Sequence, residues 1–235
     1  MRLDKLLAHA TGLTRSLAAR AIRAGEVTVN GNTLRDPGAQ VDPGARVEHA
    51  RQLVEAPRVR YFMVHKPAGY VCANRDSRHR TVFQLLDVAN QRGLHVAGRL
   101  DVDATGLVLV TDDGAWSHRV MSPRHQCAKR YRVTLASALA PEAERQLRAG
   151  VQLSGEANAC EPAGLSQLAP AIWLVSITEG RYHQIKRMFA AVGNHVLALH
   201  REAIGKIELD PGLLPGSARP LNVEEIAAFE PLASE

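Results

Sequence analysis

The sequence of 235 residues is 46% hydrophobic and carries a formal net charge of +5 with a pI near 9.4, which allows one large domain or a small one plus a medium one and leans toward a polyanionic partner without establishing it. Cys72, Cys127 and Cys160 are dispersed and lack CxxC or Cys/His-finger spacing, which argues against a disulfide framework and against structural zinc. The start, MRLDKLLAHATGL, has no apolar core of signal-peptide length, and nowhere do roughly 18 apolar residues run together, so the expectation is a cytoplasmic protein with no membrane partner.

The first 50 residues read as a small module of their own. A helix from near Asp4 ends at Gly12, and a second, capped by Thr14 or Ser16, ends at Gly25, since glycine accepts the positive φ that closes a helix. EVTV, Asn30-Gly31 and NTL form a hairpin signal, and ARVEHA closes the module as another strand. Projected at about 100° per residue from Arg15, Arg23 and Arg20 fall at roughly 80° and 140°, while Leu17, Ala18, Ala21 and Ile22 fall between roughly 200° and 340°. The second helix thus has a basic face and an apolar one. With Arg2 and Lys5 on the preceding helix, Arg15, Arg20 and Arg23 form a candidate phosphate-binding surface.

Residues 51–59 read as a linker and residues 60–235 as a second domain. In chain order this domain offers YFMVHKP and GLVLVT as strands, TVFQLLDVA as a helix, KRYRVTL as a strand and PEAERQLRAG as a helix. AIWLVSIT follows as a strand, HQIKRMFAAVG as a helix, HVLALH and KIEL as strands, and a terminal helix with a capping box at Asn222 and Glu225. TDDG and TEGR read as hairpin-like turns. Strands do not alternate regularly with helices, so the expected class is α+β with a largely antiparallel mixed sheet and flanking helices.

The stretch HVAGRLDVDATGLVLVTDDG gathers Asp101, Asp103, Asp112 and Asp113. Asp101 and Asp103 form a DxD pair of the kind that can hold a divalent cation, but no His or Glu of convincing ligand spacing accompanies them. Asp112 and Asp113 precede Gly114 and read as turn residues. Asp101, two residues after Arg99, is the carboxylate left to explain.

GRLDVDATGLVLVTDDG, KRYRVTL and EGRYHQIKRMF, in this order, resemble the motifs of the RsuA-type pseudouridine synthases, and RLDKLLAHATGLTRSLAARAIRAGEVTVNG resembles an S4 RNA-binding module. The resemblance runs from Arg2 to about Phe229, and SPRHQCAKRY and EGRYHQIKRMFAAVGNHV look most like the branch that modifies 16S rRNA at uridine-516. It implies a fold in which an S4-like module precedes the synthase domain, and a reaction that breaks the bond between uracil N1 and ribose C1′, turns the base and rejoins it through C5. Substrate and product are isomers, so the resemblance implies no cofactor and no metal. Asp101 matches the catalytic aspartate, whether it attacks C1′ or removes a ribose proton, since both roles need the carboxylate form.

By the same resemblance, Lys186 matches the basic partner of that aspartate, where many relatives carry Arg, and Tyr131 matches an active-site tyrosine expected to stack on the uracil. Arg99 is the candidate to fill the gap left when the target base flips out of the stack. Arg181 and His183 are candidates to line the pocket. The implied partner is 16S rRNA or a small-subunit assembly intermediate, and nothing in the sequence suggests more than a monomer. The alternatives are a synthase of the same family acting on 23S rRNA, a non-catalytic S4-type RNA-binding or ribosome-assembly protein, and, on the DxD pair, a metal-dependent nuclease short of ligands.

Overall fold

A computed structural model of the chain describes residues 1–42, 44–54, 59–88, 90–122 and 126–229. The chain divides into two compact units, residues 1–59 and 60–235. The first begins with α1 (Leu3–Thr11), closed by Gly12 at φ 76°, and α2 (Arg15–Ala24), whose N-terminus is capped by the Thr14 side chain accepting from the Leu17 amide and whose end is Gly25 at φ 81°. Ala18, Ala21 and Ile22 of α2 are buried against Leu3, Leu6 and Leu7 of α1, whereas Leu17, read with the apolar face, is exposed. The Asn30-Gly31 hairpin joins β1 (Val27–Val29) to β2 (Asn32–Thr33), and β1 also pairs with β3 (Val47–His49).

A fourth strand, β4 (Gln52–Val54), follows β3 and pairs with it antiparallel, so part of the stretch read as linker belongs to this sheet; residues 55–58 lie outside the described residues. The turn between them is Ala50-Arg51, both at positive φ.

The second unit opens with β5 (Tyr61–Lys66), β6 (Tyr70–Val71) and β7 (Arg80–Thr81), followed by a 3-10 helix over Val82–Leu85. The sequence predicts a longer helix there. It ends after one turn because the Phe83 carbonyl, which would accept from residue 87, accepts instead from Leu86 N and from Gln91 Nε2 at 2.7 Å. Then come β8 (His95–Ala97), β9 (Thr105–Thr111), α3 (Gly114–Met121), β10 (Lys129–Leu135) and α4 (Pro141–Ala149). The unit is completed by β11 (Gly164–Ala169), β12 (Ile172–Ile177), α5 (Gln184–Ala191), β13 (Val196–Ile204), β14 (Ile207–Glu208), β15 (Ala218–Pro220) and α6 (Val223–Ala227).

Neither TDDG nor TEGR forms a hairpin. Asp113 caps α3 by accepting from the Ala115 and Trp116 amides, Asp112 binds Arg60, and the TEGR stretch carries the chain from β12 to α5. Residues 123–125 of SPRHQCAKRY lie outside the described residues. The capping box at Asn222 and Glu225 is present at α6.

The central sheet runs β11-β12-β10-β13-β9-β5-β15, with β14 beside β13 and β8 beside β9. Its pairs are antiparallel except β13 with β9, which run parallel where His200 meets Thr105 and Arg201 meets Gly106. Val108 and Val110 of β9 pack into a core on one face with Val133, Trp173, Leu147 and Phe189, while Leu107 and Leu109 pack into a core on the other with Met63, Trp116 and Ile204. Burial on both faces is why GLVLV is a continuous apolar run rather than an alternating one. At the parallel crossing the strands approach so closely that a Cβ on Gly106, whose φ is 106°, would sit 2.2 Å from the Arg201 carbonyl oxygen.

Within the first unit, Asp4 is buried and accepts from Arg2 Nη2 at 2.9 Å and Arg15 Nε at 3.1 Å. The hydrogen bond from Arg2, joined by those from Arg15 and working against burial, holds the Asp4 carboxyl well below the usual carboxylate range. Its stabilising contribution is therefore complete above the ordinary aspartate pKa near 3.8 and is lost progressively as pH falls below that value toward the folded-state one. Asp4→Asn should cost residues 1–59 about 1–2 kcal/mol at neutral pH. The gap from wild type should narrow as pH is lowered through the acid range, as read by thermal unfolding followed by circular dichroism.

Candidate active site

Asp101 sits in the loop between β8 and β9, after Gly98 at φ 91° and at the head of a turn in which the Ala104 amide donates to its carbonyl at 3.2 Å. Each carboxylate oxygen faces a different group on the opening of α5. His183 Nε2 lies 3.3 Å from Oδ1 and Lys186 Nζ lies 3.2 Å from Oδ2. Lys186 is shared: it donates to Asp103 at 2.7 and 2.9 Å. The DxD pair therefore converges on an ammonium, and the sequence expectation of a Lys186–Asp101 pair becomes a Lys186 bridge over both carboxylates. Burial works against the Lys186 ammonium, but Asp103 and Asp101 outweigh it and raise its pKa, while Lys186 holds the Asp103 carboxyl below its usual range. Among the described residues no three His, Cys, Asp or Glu side chains stand where they could hold a metal ion.

Asp101 and Lys186 share the wall of a cavity of about 100 Å³ with Tyr131, Arg99, Ile177 and Leu199. Tyr131 lies on β10, paired with Val175 of β12 and Arg201 of β13, and its ring is buried except where it meets the cavity. The Arg99 side chain is exposed beside the cavity. Arg181 reaches the lining too, but its guanidinium is bound to Glu179 at 2.7 Å and to the carbonyls of Asn158 and Ala159, so it braces the wall rather than offering free donors to a ligand.

His183 adopts φ 47° at the N-cap of α5 and makes no side-chain cap, which leaves its imidazole to face Asp101. Arg2, Lys5, Arg15, Arg20 and Arg23 belong to the other unit. Lys5, Arg20 and Arg23 are exposed, whereas Arg2 and Arg15 are partly engaged by Asp4.

An RNA pseudouridylate synthase family matches residues 60–191, and an S4 domain family matches residues 1–47. The chain is 51% identical over 97% of its length to ribosomal small subunit pseudouridine synthase A of Escherichia coli K12, covering 99% of that protein. It is 46% identical over 97% of its length to the protein of the same name from Vibrio cholerae, again covering 99% of it. A crystal structure of a pseudouridylate synthase is 44% identical, superposes with a TM-score of 0.71, and matches over 98% of this chain and 100% of the other.

Two basic side chains that the sequence reading passed over hold the Asp101 loop from beneath. Lys66, at the end of β5 and fully buried, donates to the carbonyls of Pro67 at 3.1 Å, Val102 at 3.2 Å and Ala104 at 2.5 Å. Arg201, in β13 and 2% exposed, donates to the carbonyls of Gly98 at 2.8 Å, Arg99 at 3.2 Å and Leu107 at 2.8 Å, and its Nη1 lies 3.5 Å from the Tyr131 hydroxyl. The only sequence signal for Arg201 is a charge inside the strand pattern HVLALHREAIG, and for Lys66 a charge ending YFMVHK.

A third basic group passed over is exposed: Arg75 and Arg78 lie on the loop between β6 and β7 and Arg80 at the start of β7, a segment tethered to the Asp101 loop by the Leu100 amide on Cys72 Sγ and the Gly69 amide on the Val102 carbonyl. Replacing Arg201 by Met would strand three carbonyls, that of Leu107 in a buried hydrogen bond and those of Gly98 and Arg99 in partly buried ones, at a cost of about 3 kcal/mol. Arg201→Lys should recover only part of this, because an ammonium has no planar fork to span them; denaturant unfolding of the two variants measures both losses.

Proposed function

The chain belongs to the RNA pseudouridylate synthase family and carries an S4 domain, and on that premise we propose that it isomerises a uridine of 16S rRNA in the small ribosomal subunit, uridine-516 being the position its motifs imply. The observation that carries the reading is the Asp101 carboxylate, held between Lys186 and His183 on the wall of a cavity it shares with Tyr131. The chemistry needs a carboxylate beside the ribose, and here each oxygen of that carboxylate is met by a separate group, Oδ1 by His183 and Oδ2 by Lys186.

In this reading the target uridine leaves the RNA stack, its base enters the cavity against the Tyr131 ring, and Arg99 occupies the space it vacates. Asp101 acts at the ribose, as nucleophile on C1′ or as the base that takes a ribose proton, and the N1–C1′ bond breaks. The uracil turns within the cavity and C5 bonds to C1′, which breaks the bond between C1′ and the carboxylate in the first case and is joined by return of the proton from Asp101 to the ribose in the second. The proton on C5 then departs and N1 ends protonated, so that atoms balance without any co-reactant. In this reading Tyr131, whose hydroxyl lies 3.5 Å from Arg201 Nη1, holds the detached base and relays the C5 proton, its hydroxyl giving up its own proton as it takes that one, so that the proton lost at C5 is matched by the one gained at N1. Lys186 also neutralises Asp103, which would otherwise place a second negative charge beside Asp101.

The S4 domain supplies affinity. Phosphate contacts set register without specifying sequence, so the target uridine is selected by RNA shape and unpaired bases near the site. The exposed Lys5, Arg20 and Arg23 are the side chains proposed to meet phosphates, with Arg2 and Arg15 adding charge from the same helices.

The primary test is release of tritium from rRNA labelled at uridine C5. Asp101→Asn should lower the rate by roughly 10³-fold or more with RNA affinity retained, in the presence of chelator. An Asp101→Asn protein that releases tritium at the wild-type rate overturns the assignment, and mapping pseudouridines in rRNA from a strain lacking the protein identifies the position. For the S4 surface, Lys5, Arg20 and Arg23 changed together to Ala should flatten the plot of log affinity against log salt by about 0.7–0.9 for each phosphate that is no longer neutralised.

A further inference from the structure

Tyr182 is the only aromatic residue among the described ones that lies in the open, with 76% of its surface exposed. An exposed ring on a disordered segment would mean little, but this one is held in place from several sides. Its carbonyl accepts from Arg187 Nη1 at 3.1 Å, and Arg187 is itself fixed by Glu156 at 2.9 Å and the Ser154 carbonyl at 2.8 Å. The preceding residue, Arg181, is bound through its amide to Gln184 and through its guanidinium to Glu179. The ring of Tyr182 lies flat on that of His183, with centroids 3.8 Å apart and an interplanar angle of 19°. His183 in turn touches Asp101 at 3.3 Å.

The inner face of Tyr182 is thus used, its orientation is fixed, and it stands one residue from a group at the carboxylate. We propose that Tyr182 is a stacking platform for one unpaired nucleobase of the substrate RNA, a neighbour of the uridine being isomerised, so that the Tyr182–His183 pair continues the base stack beside the point where the target leaves it. The proposal rests on the synthase reading above. A base is the favoured occupant because a flat, pre-ordered ring offers a π-face to any base without hydrogen-bond readout, because the site beside it is proposed to act on a single flipped nucleotide, and because the exposed Arg99 at the same cavity supplies positive charge to a phosphate chain. This role differs from that of Tyr131, whose buried ring belongs to the cavity itself.

The test uses the full-length protein and C5-tritiated rRNA in which each nucleotide flanking the target is made abasic in turn. Tyr182→Ala should raise KM roughly tenfold, with a smaller change in kcat, and Tyr182→Phe and Tyr182→Trp should restore the wild-type KM because each keeps a ring. One abasic position should raise the wild-type KM by the same factor and leave the Tyr182→Ala protein no worse, the signature of a shared interaction. With 2-aminopurine at that position, fluorescence should be quenched on binding wild type and not on binding Tyr182→Ala.

The proposal is overturned if Tyr182→Ala keeps its KM, if Tyr182→Phe behaves as the Ala variant, if every abasic effect simply adds to that of Tyr182→Ala, or if Tyr182 matters on a ribosomal particle and not on naked RNA, where a protein would be the occupant. Failure of the synthase reading itself looks different: the wild-type protein would then release no tritium from any rRNA.

Discussion

A loop that presents a carboxylate to a cavity cannot also satisfy its own backbone through regular strand pairing, and buried carbonyls without donors are expensive. Here the donors come from below. Lys66 takes the carbonyls of Pro67, Val102 and Ala104, and Arg201 takes those of Gly98 and Arg99 together with Leu107. The two cations sit on β5 and β13, the strands on either side of β9, so the segment from Gly98 to Ala104 is gripped from both neighbours of the strand it feeds. Burial pushes the Lys66 ammonium down, while Cys72, Asp103 and Asp101 oppose that shift. The acidic residues above therefore help keep charged the lysine that fixes their loop.

That arrangement dictates the parallel crossing. Arg201 reaches the carbonyls of 98 and 99 because β13 runs beside β9 at Gly106, and the approach is possible only without a side chain there. The same crossing places Tyr131, on the other side of β13, within reach of the Arg201 guanidinium. One pair of strands thus fixes both the height of the carboxylate and the depth of the aromatic wall opposite it.

Much of the fold was legible because its signals are local. The Asn30-Gly31 hairpin, the glycine ends of α1 and α2 and the capping box of α6 each depend on a residue type whose conformational preference is strong. The hairpin joining β3 to β4 was not legible, since its turn is Ala50-Arg51, and neither side chain favours the positive φ that both adopt; the Glu26 carbonyl, accepting from the Ala50 amide at 3.0 Å, holds the turn through a partner distant in sequence. Asp113 read as a turn residue because a capping aspartate before glycine looks the same in either role until α3 is seen beyond it. In the site, Asp101 could be singled out from its motif, but Asp103 looked like a bystander, because only the fold brings Lys186 across 83 positions to bridge the two.

The segment Arg181-Tyr182-His183 carries this point to its end. Three consecutive polar or aromatic side chains point to three destinations: into the wall, out to solvent, and toward Asp101. A regular helix would place neighbours about 100° apart and a strand would alternate them between two faces, and neither gives this divergence. It requires His183 in the left-handed region, at a cost of about 1–2 kcal/mol for a residue with a Cβ. The cost is tolerated because the backbone on both sides is already committed, the Arg181 amide to Gln184 and the Tyr182 carbonyl to Arg187. Strain maintained by that many fixed bonds, at the point where a helix opens onto a carboxylate, is what turns a short polar sequence into a surface with an inside, an edge and an open face.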